Sequence, residues 1–170
     1  MLDLIGALCV LFAGTALGFS ISARYADRPK QLRLMLHALQ RLETEIAYGR
    51  TPLPEALARI AEQMGEPLAA LFRNAAAQMD GTRPTDEAWR NAVQACWKQT
   101  AMKAPEQDVL IRLGQSLGGS DSEDQIKHLR LAMRMLKMEE ENAAEDQRKY
   151  AKMWKSLGVL CGALVVILVF

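Results

Sequence analysis

Apolar residues recur at steps of three and four along most of the chain, which places them on one face of successive α-helices. From Asp27 they fall at Leu32, Met35, Leu36, Leu39, Leu42 and Ile46, with Arg41 and Glu45 between them. Gly49 predicts a left-handed stop, Thr51 the next N-cap, and Pro52 the first position of a second helix. That helix, to about Met64, turns Leu53, Leu57 and Ile60 inward, and Gly65 and Pro67 punctuate it. A third runs from about Pro67 to Met79 through Leu68, Leu71 and Phe72, and Asp80-Gly81 ends it. Pro84-Thr85-Asp86-Glu87 opens a fourth with acidic groups suited to a helix N-terminus. Along it Trp89, Val93, Cys96 and Trp97 keep three-to-four spacing. Pro105-Glu106 opens a fifth, with Val109, Leu110, Leu113 and Leu117 inward and Gly118-Gly119 at its close. Ser120 and Glu123 have the S-x-x-E spacing of a capping box. They precede a last helix carrying Ile126, Leu129, Met133 and Leu136, with no Gly or Pro until Gly158. No period-two alternation occurs. Short connections make neighbouring helices antiparallel, so the expected fold is all-α, an antiparallel helical bundle of five to six helices.

The two ends break the amphipathic pattern. Leu4 to Ile21 is 18 residues without a charge, close to the span of a bilayer core. Only Met1, Leu2 and Asp3 precede it, without the Lys or Arg of a secretory signal, so an uncleaved anchor is expected. Leu157 to Phe170 is a second uncharged run of 14 residues. Taken from Met153 it reaches 18 residues, with Trp154 suited to the interface and Lys155 able to snorkel. A buried or interfacial terminal helix is the alternative. The exposed run VVILVF at the end would otherwise be prone to aggregate, which favours a span.

Charge orients these segments. Arg24, Arg28, Lys30 and Arg33 follow the first run, and Arg148, Lys149, Lys152 and Lys155 precede or enter the second. The outer ends carry no Lys or Arg, and basic residues near membrane segments stay on the cytoplasmic side. The expected organisation is therefore an N-terminal transmembrane helix over residues 1–23, a cytoplasmic helical bundle over 24–152, and a C-terminal transmembrane helix over 153–170.

Composition narrows the class. Half of the 170 residues are hydrophobic, yet only 6% are aromatic, a balance that favours helix over sheet. A net charge of +1 points away from nucleic acid. Cys9, Cys96 and Cys161 lie far apart, without disulfide or zinc-site spacing, and are read as small hydrophobes. His37 and His128 have no partner at metal or triad spacing. Glu139-Glu140-Glu141 spread around a helix axis and read as a solvated face rather than a cation site. Gly118-Gly119 lacks the remainder of a phosphate-binding loop, and the nine methionines read as core filling. No catalytic, cofactor-binding or metal-ligating set is identified, and neither a nucleic-acid nor a small-molecule partner is expected. Three features remain as candidates for binding. One is the corner Tyr48, Gly49, Arg50, Thr51, Pro52 and Leu53, otherwise a plain helix–helix turn. Another is the basic flank at Arg24, Arg28, Lys30, Arg33, Lys149, Lys152 and Lys155, otherwise a topology signal against lipid phosphates. The third is the polar face of the last helix.

Several stretches resemble one family. D-R-P-K-Q-L-R at 27–33 and L-E-T-E-I-A-Y-G-R-T-P-L-P-E-A at 42–56 are similar to the stage III sporulation protein AB family of endospore-forming bacteria. Leu113 to Leu129 (LGQSLGGSDSEDQIKHL) and the ending YAKMWKSLGVLCGALVVILVF fit it as well. That family looks in turn like the cytoplasmic domain of the platform protein of type II secretion and type IV pilus systems, through residues 47–57 and 113–119. The resemblance implies a non-enzymatic adaptor in the channel joining mother cell and forespore. It would sit in the mother-cell membrane with its bundle in the cytoplasm, and its partners would be other channel proteins, including a cytoplasmic ATPase. A membrane-bound regulatory scaffold with no transport role is the alternative, and a secreted helical domain a third.

Overall fold

The structure, a computed structural model, describes residues 26–48, 51–119 and 121–169, with side chains described to Tyr150 and at Met153. Among the described residues six helices follow one another: α1 over 26–48, α2 Leu53–Glu62, α3 Leu68–Gln78, α4 Thr85–Trp97, α5 Ala104–Gly114 and α6 Ser122–Val169. The described residues contain no strand. Each helix from α2 onward packs on the next, as short loops require. The chain closes on itself where α1 lies antiparallel to α6. Arg33 meets Glu140 and Glu43 meets Arg130, so partners on α6 fall in number as those on α1 rise.

One core joins all six elements. Leu32, Met35, Leu39 and Leu42 of α1 meet Leu57 and Ile60 of α2, Leu71 and Phe72 of α3, and Trp89 and Val93 of α4. Leu110 and Leu113 of α5 and Leu129 and Leu136 of α6 complete it. These are the residues that helical spacing turns inward, and burying each stabilises the fold by about 1.5–3 kcal/mol. Phe72 meets Trp89 edge-on, with ring centroids 5.8 Å apart and planes at 77°, an arrangement that adds about 1 kcal/mol beyond area. The Trp89 indole donates to the Leu110 carbonyl at 2.7 Å, so the largest core side chain leaves no polar atom unpaired. Gly114 lies directly under that indole, where a Cβ would overlap Trp89 Cδ1. Gly118 turns the chain at φ +78 beside Thr85.

Helix starts differ from expectation in two places. Thr51 does not cap α2: Pro52 occupies the N-cap position with φ −56 and ψ 144, and no side chain caps the helix. Pro54 stands second in α2, so one of the N–H groups an N-cap side chain would accept from is absent. At α6 the cap is Asp121, whose Oδ1 accepts the Asp124 N–H at 2.8 Å. A carboxylate there also suits the positive end of the helix dipole. Ser120, expected in that role, lies outside the described residues, as do Gly49 and the whole expected first span over 1–23. Among the described residues no helix is long and apolar enough to cross a membrane.

Candidate functional site

The expected corner is only partly described. Tyr48 ends α1 with 90% of its surface exposed, Pro52 is exposed, and Thr51 is half-buried. Leu53 packs against the core, while Gly49 and Arg50 lie outside the described residues. The corner thus has an exposed aromatic at its entry and an anchored leucine at its exit.

The basic flank divides. Lys30 is exposed beside Asp27 at 3.5 Å, and Lys149 is exposed. Lys152 and Lys155 belong to the α6 backbone, with their side chains outside the description, and Arg24 lies outside it altogether. Arg28 does not face lipid phosphates: only 5% of it is exposed. Its Nε and Nη2 both donate to Glu106 Oε1, at 2.8 and 2.5 Å, and Nη2 also reaches Glu139 Oε2 at 2.8 Å. Asp146 stands 3.9 Å away. The other oxygen of the fully buried Glu106 accepts the Lys103 backbone N–H at 2.8 Å. Glu106 therefore caps α5 and grips α1 with the same carboxylate. This clasp joins α1, α5 and α6 through residues distant in sequence.

A second ion cluster lies farther along the same helix pair. Glu140 is almost buried and accepts from Lys137 at 2.6 Å and from Arg33 at 2.7 Å. The hydrogen bond from Lys137, aided by that from Arg33, holds the Glu140 carboxyl below its ordinary value. The same bond raises Lys137 above the ordinary lysine range. The expected solvated face of Glu139 to Glu141 is thus corrected. Glu139 and Glu140 turn toward α1, since the spacing of four puts Glu140 on the line of Leu136, and only Glu141 projects outward.

His37 and His128 are both exposed, and Cys96 is buried and free. Among the described residues no group of three or more His, Cys, Asp or Glu is placed to hold a metal ion. Met35 and Met102 fill the core as expected of the methionines, but Met135 and Met138 are exposed on α6. Sequence reasoning missed Glu106 and Glu140 as interior groups. Their signal was register: Glu106 precedes Val109 and Leu110 by three and four residues, and Glu140 follows Leu136 by four.

Comparison with known proteins places this geometry. The family model for stage III sporulation protein AB matches residues 3–170. The stage III sporulation protein AB of Bacillus subtilis (strain 168) is 40% identical over 169 residues, covering 99% of both chains. A solved structure of a stage III sporulation protein AB superimposes with a TM-score of 0.69 at 37% identity, over 72% of this chain and 98% of that one. The helical bundle described above belongs to a sporulation protein: the chain is a member of the stage III sporulation protein AB family.

Proposed function

We propose that this chain is a membrane-anchored adaptor in the mother cell–forespore channel complex, coupling a cytoplasmic ATPase to the membrane channel. The observation that carries it is α6. This single helix of 48 residues, Ser122–Val169, is about 72 Å long. Its first half is locked into the bundle by Leu129, Leu136 and the ion clusters of Glu139 and Glu140, and its last residues are the uncharged run from Leu157. A continuous helix is stiff, so displacement of the bundle would be carried to a membrane-inserted end without a hinge. The Arg28 clasp supports this role by tying α6 to the start of α1 and to α5.

Topology tests the proposal first. Ser120→Cys, in a background lacking Cys9, Cys96 and Cys161, is treated in intact cells with a membrane-impermeant thiol reagent. Protection until permeabilisation is expected and places the bundle where an ATPase reaches it. Labelling of intact cells would remove the ATPase from the proposal. Substitution of Tyr48, Arg50 and Pro52 is expected to reduce association with the ATPase or a channel protein, and unchanged association across that set counts against the corner.

A further inference from the structure

The outer face of α6 carries Leu131, Met135 and Met138, exposed to 53%, 41% and 65%. Spacing of four and three puts them in one stripe, opposite the buried line of Leu129, Leu136 and Ala143. A stripe of this kind is what a second helix covers, and unbranched methionines adapt readily to a partner surface. Beside it runs an open groove of about 570 Å³ between α1 and α6, where Leu36 and Met133 continue the apolar surface.

Charge decides what fits there. Three cations and one carboxylate line the groove: Arg130, Arg134, Lys137 and Glu141. Arg130 is held by Glu43 at 2.7 Å, and Lys137 by Glu140 at 2.6 Å with Glu141 at 3.8 Å. Arg134 has no ion-pair partner among the described residues, and it sits between the groove and the stripe. We propose that this face docks an amphipathic helix of another polypeptide, which covers Leu131, Met135 and Met138 and brings a carboxylate to Arg134. A second copy is the competing occupant, and the cross-link at Met135 separates the two. The surface goes beyond the adaptor role proposed above, since it fits an acidic helix whether that helix belongs to an ATPase or to a channel protein.

The test uses the full-length chain in sporulating cells, with benzoylphenylalanine at Met135 and mass-spectrometric sequencing of the cross-linked peptide. The expected cross-link falls on a segment of another polypeptide that has an apolar stripe at helical spacing and an adjacent Asp or Glu. Arg134→Glu should lower the yield by about tenfold, as loss of a charge pair at a docked surface does. Changing the partner's carboxylate to Lys should restore it. Leu131→Ser, at an exposed position that leaves the core intact, should lower the yield as well. Cross-linking to a second copy or to lipid, no cross-link, or a yield indifferent to Arg134→Glu would overturn the proposal. A partner other than the ATPase would leave the docking surface standing while removing the ATPase from it, so the two proposals fail separately.

Discussion

Arg28 and Glu106 stand 78 residues apart in sequence and share one carboxylate oxygen through two guanidinium nitrogens, both groups almost wholly removed from water. A buried charge is tolerated only when paired, because taking it out of water costs several kcal/mol. Each residue therefore holds the other's helix in place. Arg28→Ala leaves Glu106 with only the Lys103 N–H, and should destabilise the fold by about 3–5 kcal/mol in a urea titration followed by tryptophan fluorescence. Arg28→Met combined with Glu106→Gln should be less destabilising than the sum of the single changes, because neither charge is then left alone. Additivity would show that the two do not stabilise one another.

The Glu140 cluster sets a dependence on pH at both extremes. Its carboxyl is held below the ordinary 4.5, so the stabilisation is present well above that value and is lost as pH falls through the depressed folded value. Lys137 is raised above 10.5, so its part is present below that value and lost as pH rises through the raised folded value. Glu140→Gln should flatten the acid limb of a stability–pH curve measured by thermal unfolding. An unchanged acid limb would assign acid sensitivity to other carboxylates.

Gly114 lets α5 approach α4 at the indole of Trp89. Gly114→Ala puts a methyl group into that ring and should destabilise by about 1–3 kcal/mol through overpacking. Helix propensity alone would make the same change stabilising, so the sign of the shift in thermal midpoint decides between packing and propensity. Gly119→Ala, where a Cβ meets nothing within 4 Å, is the control expected to show no such loss.

Asp121 starts the rod. Removing its carboxylate by Asp121→Ala should cost about 0.5–2 kcal/mol and increase hydrogen exchange at the first turn of α6, while Ser122→Ala should leave exchange there unchanged.

The amphipathic pattern by itself placed five to six helices, in line with the six that the described residues form, and named most of the core-facing residues, because a period of 3.6 is a local property that adjacent residues carry. It also determined the family, through motifs running the length of the chain. The partners of charged residues were decided only by the tertiary structure. Arg28, Glu106 and Glu140 each stand in an apolar register on a different helix, and that register says nothing of what each one meets. Read along one dimension, Arg28 belongs with the basic residues beside an apolar run, and Glu139 to Glu141 with a solvated face. Packing α1 antiparallel to α6 and both against α5 brings opposite charges within hydrogen-bond reach, and burial then makes their pairing obligatory. The same packing leaves Met135 and Met138 outside, since a helix bound on one side must present its opposite face, whatever residues that face carries.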